Sequence, residues 1–552
     1  MKIIISCLNS KFVHASLSPW CLLAGLRKFC AVQHKAIVME NTINGDMLSF
    51  AQKITDEKPD VLAFSCYIWN ITKTLEVCRA VKERHNCIIV LGGPEVAYRQ
   101  RDVLSKYDYI DFVLSGEGEW SFPDFINNIN GKLSSVSGLT YRQNGEIISV
   151  PEKEYTDTPP SPYCDEFFSA LGGRITYIET ARGCPYRCAF CLSGRCSFLR
   201  FFDLERVKRD ILKLAVSGTQ TVKFVDRTFN ANVSRANEIL TFIKENYGKE
   251  IPENVCFHFE IAGDILKEST LEILEQMPVG AVQLEIGMQS FNEEVLRIIN
   301  RKTDTKKLIH NIKKLLSFNN MHIHIDLIAG LTGENLESFR NSFNIGYSLK
   351  AHMLQLGFLK LLYGADMREN SEKYPCSFSD EPPYEITSNP WLSADEIKML
   401  KKAEDALDRL YNSGRFLYTL DYLTDEIGIS PFDIFCEFGN KVDGNKMQLS
   451  DYAENLYSFF SDKCDKEKLR EKIVCDLLCS SSSVQIPDVL KINEPLYKRA
   501  KKYFTENVDK NIKIAILHTE NKIFTVNHGK PKNLHNRYEG KFYSIDELQG
   551  IF

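Results

Sequence analysis

Short apolar runs alternate with amphipathic stretches through the first 130 residues, and the runs stop at glycine or small polar residues. Residues 2–6 read as a strand, and residues 17–28 carry helical periodicity. Residues 61–65, set off by Lys58-Pro59-Asp60, read as a buried parallel strand, and residues 71–83 are amphipathic. Residues 87–91 form another buried run that ends at Gly92-Gly93-Pro94, and residues 112–114 end at Ser115-Gly116-Glu117-Gly118-Glu119. Such βαβ alternation predicts a doubly wound parallel sheet, whose ligands bind outside the carboxyl ends of its strands. The glycines and polar residues collect at those ends.

A second alternating series begins near residue 173. Its strands fall at residues 175–179, 221–226, 255–260, 281–287, 322–328 and 353–358, with helical stretches between them. Six βα units predict a partial barrel with its chemistry at the strand carboxyl ends. Between the two series, Asn144-Gly145 marks a hairpin over residues 139–148, and the prolines of residues 158–162 mark an extended linker. Past residue 391 the chain turns charged and helical, starting at a capping Ser393, and it ends in a strand pair at 512–518 and 522–527. The expected class is α/β. An N-terminal doubly wound Rossmann-like domain spans residues 1–135 and a hairpin and linker 136–172. A central partial (β/α)6 barrel spans 173–390 and a mostly helical C-terminal domain 391–552.

Composition adds little to this picture. A chain of 552 residues suits two to four domains, and 44% hydrophobic with 26% charged residues is ordinary for a globular protein. A net charge of -5 without a Lys/Arg block gives no strong nucleic-acid signal. The apolar run at residues 1–6 is too short for a signal-peptide core or a membrane span, so no membrane association and a cytoplasmic location are expected. Seventeen scattered cysteines do not form a disulfide framework and fit a reducing compartment.

Three of those cysteines carry chemistry. Cys184, Cys188 and Cys191 lie in Ala181-Arg182-Gly183-Cys184-Pro185-Tyr186-Arg187-Cys188-Ala189-Phe190-Cys191, directly after a predicted strand. Their spacing brings three thiolates around one loop, as an iron–sulfur cluster requires. A zinc knuckle needs a second ligand pair, and none is visible nearby. With three cysteines, one iron is left open to bind a cofactor. The spacing, with Phe190 before the last cysteine, resembles the signature of radical S-adenosylmethionine (SAM) enzymes. That resemblance implies a 4Fe-4S cluster whose open iron chelates SAM. It places Phe190 against the cluster with its backbone near adenine, and makes Glu285 the ribose-binding carboxylate. Asp226, Glu260 and Gln289 are expected to line the barrel mouth, and the turn from Asp326 to Glu334 to admit SAM closely at its glycines.

The first domain resembles the cobalamin-binding domain that precedes the radical barrel in one large subclass, the class B radical SAM methyltransferases. Ser65, Tyr67, Trp69 and Asn70, then Gly92, Gly93, Pro94 and Glu95, then Gly116 and Glu117 carry the resemblance and are the expected cobalamin contacts. The alternative is a flavodoxin-like domain with ordinary strand-end turns, or one that has lost its ligand. The Asp-x-His-x-x-Gly pattern that supplies a lower cobalt ligand is absent; Asn9-Ser10-Lys11-Phe12-Val13-His14 stands in its place. His14 is then a cobalt ligand or a satisfied polar histidine. Cys196, Cys475 and Cys479 raise the further question of an auxiliary cluster.

Together the resemblances imply a cobalamin-dependent radical SAM enzyme. Its expected reaction is methylation of an unreactive carbon or phosphorus centre through a 5′-deoxyadenosyl radical and methylcobalamin. The substrate would be a small molecule or peptide, and an external one-electron donor such as flavodoxin or ferredoxin would supply electrons, in an anaerobic host. The alternatives are a cyclisation, oxidation or rearrangement by the same cofactors, a tRNA methylthiotransferase, or a non-enzymatic cobalamin or redox sensor.

Overall fold

The computed structural model describes residues 1–195, 198–444, 447–491 and 494–548. The first sheet has seven strands: β1 (Lys2–Asn9), β2 (Lys35–Thr42), β3 (Val61–Ser65), β4 (Ile88–Gly92), β5 (Phe112–Leu114), β6 (Leu139–Gln143) and β7 (Glu146–Ser149). Their spatial order is β2-β1-β3-β4-β5-β6-β7. The first five are parallel, with Ile3 opposite Val61 and Val61 opposite Ile88. Strands β1 and β3 are buried along almost their whole length, which is why they read as continuous apolar runs. β2 is an edge strand of half-buried residues with Lys35, Glu40 and Asn41 among them, so the apolar pattern missed it.

The hairpin expected in the connector belongs to this sheet. β6 runs antiparallel to β5, with Leu139 opposite Leu114, and buries Leu139 and Tyr141. The sheet therefore continues to Ser149, past the expected limit at residue 135. The chain order reverses between β1 and β3, and the carboxyl ends of these strands form the crevice where such sheets bind ligands.

The second sheet is all parallel. It uses β8 (Thr176–Ile178), β11 (Thr221–Phe224), β12 (Cys256–Ile261), β13 (Val282–Gln289), β14 (His322–Ala329) and β15 (Met353–Phe358), in the order β15-β14-β13-β12-β11-β8. Between the first two, β9 (Ala181–Arg182) and β10 (Arg200–Phe201) pair antiparallel and clasp the cysteine loop at its base. Strict alternation along β13 buries Val282, Leu284, Ile286 and Met288 on one side and leaves Glu285, Gly287 and Gln289 on the other. The barrel is open: β8 and β15 each lack one neighbour.

Each open edge is covered. Ile175 N donates to Val13 O (2.8 Å) and Ala15 N to Ile175 O (3.1 Å), so the loop after β1 pairs with the chain entering β8. On the other edge, the Asn412 side chain bonds both the N–H and the C=O of Leu354 in β15, each at 2.9 Å. A side-chain amide thus caps an edge that would otherwise be free to pair. Asn412 follows the helix Ala394–Leu407, which begins at a Ser393–Glu396 capping box. A strap with two short strands, β16 (Ser377–Phe378) and β17 (Ile386–Ser388), lies between the barrel and this helix.

The C-terminal region is helical except for an antiparallel sheet of β18 (Ile512–Leu517), β19 (Lys522–Asn527) and β20 (Gly540–Ser544). The third strand was not anticipated, because its Gly-Lys-Phe-Tyr-Ser sequence is largely exposed. Among the described residues no helix is long and apolar enough to cross a membrane.

Glu334 lies fully buried after β14 and accepts from Ser290 Oγ (2.6 Å), Ser342 Oγ (3.3 Å) and Ser338 Oγ (3.5 Å). Burial pushes its carboxyl up to about 7 against the opposing hydroxyl bonds. A carboxyl raised on folding destabilises the fold as pH climbs from its ordinary range through the raised value. Glu334→Gln is therefore expected to be neutral near pH 5 and stabilising by about 1–3 kcal/mol near pH 8. Melting curves of both proteins across this range check it; a constant gap between them would refute it.

Candidate functional site

The cysteine loop leaves the barrel after β8 and is held by backbone contacts. Gly183 has φ +96°, and a Cβ there would lie 2.0 Å from Phe198 O, so only glycine fits. Asp226, just past β11, accepts from Thr180 N (2.7 Å), Ala181 N (3.1 Å) and the Thr180 hydroxyl. Burial raises its carboxyl to about 6 despite these bonds. Asp226, expected at the barrel mouth, is instead spent on the strand-to-loop turn and does not line the cavity. Ala189 N donates to Ile299 O (2.9 Å), and Ala189 O accepts from Met367 N (3.0 Å), pinning the far side of the loop.

Cys184, Cys188 and Cys191 line one cavity of about 230 Å³ together with Phe190. Cys188 Sγ accepts from Arg301 Nη1 at 3.7 Å, and Arg301 also bonds Gly287 O at 2.6 Å. Burial raises the Cys188 thiol, and Arg301 opposes that shift. Such a cation favours thiolate, the form that binds metal. Among the described cysteines, these three alone line the cavity. Cys196 lies outside the described residues. Cys475 and Cys479 are buried on the helix Lys466–Ser480 beside Arg537, in the C-terminal region.

Glu260, Glu285, Gln289 and Asp326 line the same cavity from β12, β13 and β14. Two histidines that the sequence reading passed over organise them. His258 Nε2 sits 2.8 Å from Glu285 Oε2, His324 Nε2 sits 2.9 Å from Asp326 Oδ1, and His324 Nδ1 is 3.9 Å from Glu285 Oε2. Their inward-facing positions in Cys-Phe-His-Phe-Glu and His-Ile-His-Ile-Asp were the available signal. Burial would raise the Glu285 carboxyl, but the His258 bond and both imidazoles outweigh it and hold it below its ordinary value. Among the described residues Glu260 has no such hydrogen-bond partner, and burial pushes it up to about 7. Glu285, His324 and Asp326 bring one ligand atom each within 4.8 Å of one another, but His258 already occupies Glu285. The Gly330 and Gly333 turn faces elsewhere: added Cβ atoms would meet Ile386 and Ile298 side chains at 2.9 Å and 2.7 Å.

A larger cavity, about 670 Å³, opens between the two sheets. Ser65, Tyr67, Trp69, Gly92, Gly93, Gly116 and Glu117 line it at the strand ends. Asn70, Pro94 and Glu95 do not. Asn70 Nδ2 bonds Leu8 O (3.2 Å) and Ser65 O (3.1 Å) while its Oδ1 accepts from Tyr67 N (2.8 Å), so it staples the strand ends. Glu95 pairs with Arg99 and accepts from Tyr384 Oη, both at 2.5 Å, tying the first domain to the strap. Tyr67 and Trp69 stack at 4.4 Å with rings 6° from parallel. His14, also in the wall, holds Tyr177 Oη at 2.6 Å through Nδ1, and burial lowers its pKa.

Backbone without side chains forms much of one wall. Gly93 has φ +98° and ψ 168°, a region open essentially to glycine alone, and a Cβ there would lie 2.5 Å from Cys66 O. Gly116 has φ +79°. This cradle suits a broad, flat ligand. Gly93→Val is expected to lose cobalamin on gel filtration while keeping the cysteine-loop cluster, because the strain of about 1–3 kcal/mol falls on the cradle. Cobalamin retained in wild-type amounts would count against the cradle.

The two cavities meet at Arg227, which lines both. A cysteine-lined, open parallel barrel joined to a glycine-walled doubly wound sheet is the architecture of a radical SAM protein with a B12-binding domain. Three family models match the chain: the B12 binding domain over residues 8–126, the Radical SAM superfamily over 178–345, and a protein of unknown function (DUF4080) over 372–546. Residues 8–126 thus match a B12 binding domain and residues 178–345 a radical SAM domain. The cofactors of these domains are a 4Fe-4S cluster, S-adenosylmethionine and cobalamin, and the three thiols beside Arg301 and the glycine cradle fit them.

Among curated relatives, the chain is 31% identical over 340 residues to the 2-(S-pantetheinyl)-carbapenam-3-carboxylate methyltransferase of Streptantibioticus cattleyicolor, covering 54% of this chain and 46% of that protein. It is 29% identical over 364 residues to the cobalamin-dependent radical SAM methyltransferase TokK of Streptomyces tokunonensis, covering 60% and 51%. The chain spans about half the length of these relatives. In fold it is similar to the cobalamin-dependent S-adenosylmethionine radical enzyme OxsB, with TM-score 0.62, 14% identity, and coverage of 92% of this chain and 84% of that one.

Proposed function

We propose that this protein is a cobalamin-dependent radical SAM methyltransferase acting on an unreactive carbon or phosphorus centre of a small molecule or peptide. The observation that carries this reading is the shared wall at Arg227, which sets the cysteine-lined cavity beside the larger, glycine-walled one. A substrate at that junction would face both cofactors.

In this reading Cys184, Cys188 and Cys191 hold the cluster, and Phe190 packs against it. Glu285, kept ionised by His258, accepts the ribose hydroxyls of SAM, while Gln289 and Asp326 complete the polar wall. Ser65, Tyr67, Trp69, Gly92, Gly93, Gly116 and Glu117 seat cobalamin. Bound there, the cofactors supply reductive cleavage of SAM and transfer of a methyl group. The chain supplies alignment and a water-poor cavity, which raise the effective concentration of the reacting groups. Glu260, poised near neutrality, can hold or release a proton at its carboxyl group. Residues 391–552 buttress the β15 edge in this scheme, with Asn412 and Lys401 as contacts.

A flavodoxin or ferredoxin is the proposed electron donor. Free thiols and an oxygen-labile cluster support a cytoplasmic, anaerobic setting. The test is anaerobic incubation of cluster-loaded protein with SAM, dithionite and hydroxocobalamin. Retained cobalamin with both 5′-deoxyadenosine and S-adenosylhomocysteine supports methyl transfer. Deoxyadenosine without S-adenosylhomocysteine points to a non-methylating radical reaction, and absence of both products with no bound cobalamin overturns the assignment.

A further inference from the structure

The inner side of β11 is basic. Alternation along residues 221–227 buries Val222, Phe224 and Asp226 and turns Lys223, Val225 and Arg227 to the other side. Arg227 is exposed and belongs to both cavity walls. Among the described residues neither Lys223 nor Arg227 forms a hydrogen bond or an ion pair through its side chain, although the barrel mouth is rich in carboxylates. Each of those carboxylates is engaged or neutralised. Glu285 and Asp326 face His258 and His324. Glu117, Glu119 and Glu179 are gathered by Arg182. Glu260, which Arg227 influences electrostatically without reaching ion-pair distance, has its carboxyl pushed up to about 7 by burial.

The geometry points to Arg227, with Lys223 behind it, as the anchor for an anionic group of the substrate, a carboxylate or phosphate ester, at the junction of the two cavities. This rests on the junction being the substrate site, as proposed above. A guanidinium presents a planar fork that matches either anion, and within a partly enclosed cavity such a bond outweighs its counterpart in water. An anion there completes the charge balance that the protein leaves open. It also fixes one end of the substrate while the rest reaches between the cofactors. A neutral or cationic substrate would leave Arg227 uncompensated at the junction.

The test uses fluorine NMR line broadening on the holoenzyme, with cluster, cobalamin and SAM in place, against fluorobenzoate, fluorophenyl phosphate and neutral fluorobenzamide. At least one anion is expected to bind roughly tenfold or more tightly than the amide, the scale of one charge-assisted bond. Arg227→Gln is expected to erase that preference and Arg227→Lys to keep part of it, with cluster absorption and cobalamin retention unchanged in both. Equal binding of anions and amide overturns the assignment, as does a preference that survives Arg227→Gln. So does a preference seen only when SAM or cobalamin is omitted, since the arginine then serves a cofactor's own carboxylate or phosphate. Cofactor loading and SAM cleavage, recorded on the same samples, report separately on the methyltransferase reading.

Discussion

Alanine at any one of Cys184, Cys188 or Cys191 is expected to leave a folded, cobalamin-retaining protein with background iron, no visible cluster absorption and no deoxyadenosine formation. The three thiols line one cavity, and none of the other described cysteines reaches it. Cys7, Cys66 and Cys78 are buried in the first domain, where burial raises their thiols far above the range in which they would ionise. With two ligands the cluster loses its anchoring, and none of the other described thiols is placed to replace the third. The loop should survive apart from its metal, because Gly183, Asp226 and Ala189 hold it through backbone contacts that involve no sulfur. The paired replacement of Cys475 and Cys479 by alanine is the matched control. It is expected to keep the full iron content, since both lie buried on a C-terminal helix. Iron content and absorption of the anaerobically reconstituted proteins decide the matter. Wild-type iron in a single-cysteine variant would remove the loop from its assigned role, and iron lost in the paired variant would revive an auxiliary cluster.

The strand ends were legible in the sequence, but which way their polar side chains face was not. Apolar runs located the central strands of the first sheet, because a strand buried on two faces has few polar residues, and apolar alternation located those of the barrel. Two edge strands escaped: β2 and β20 are half-exposed and carry the polar residues of solvent-facing strands. At the site the same division holds. Glu285 and Gln289 turn inward because β13 alternates strictly, and that alternation is visible in the sequence. Asp226 sits in a comparable strand-end position yet turns to the backbone of residues 180 and 181. Asn70 and Glu95, next to true cavity residues, are likewise consumed by Leu8, Ser65, Arg99 and Tyr384. Ser65 and Arg99 are near in sequence, but Thr180, Leu8 and Tyr384 lie tens to hundreds of residues from the groups they engage, and one-dimensional spacing carries no trace of them. His258 and His324 matter through carboxylates of the barrel mouth: Glu285 lies opposite His324 in the register, and His258, opposite Gln283, reaches Glu285 two positions further along β13.

Arg182 shows what such long-range partners are worth. Arg182→Gln is expected to destabilise the protein by about 3–5 kcal/mol at neutral pH, with a lower urea midpoint and faster loss of cobalamin. The guanidinium reaches Glu117 (2.5 Å), Glu119 and, within its own segment, Glu179 (2.8 Å). It therefore ties the strand-end loop of the first sheet to the base of the cysteine loop. Arg200 adds a second cation on Glu117 at 2.6 Å. Without Arg182, three carboxylates share that one arginine, and Glu119 is nearly inaccessible to water at 5% exposure. Burial would raise the Glu119 carboxyl, but Arg182 outweighs it and holds it below the ordinary carboxylate range. A depressed carboxylate stabilises the fold above its unfolded pKa and loses that contribution as pH falls. The variant reverses the sign, since Glu119 then becomes a buried charge without its partner. The gap between wild type and variant should accordingly widen as pH rises from 5 to 8, and lysine at position 182 should recover only part of it, having no fork to span three acceptors. Urea titrations at both ends of that range are the measurement. A gap independent of pH would mean that Arg182 contributes packing alone and that the two domains are held together by the Glu95–Tyr384 contact and the pairing at Ile175.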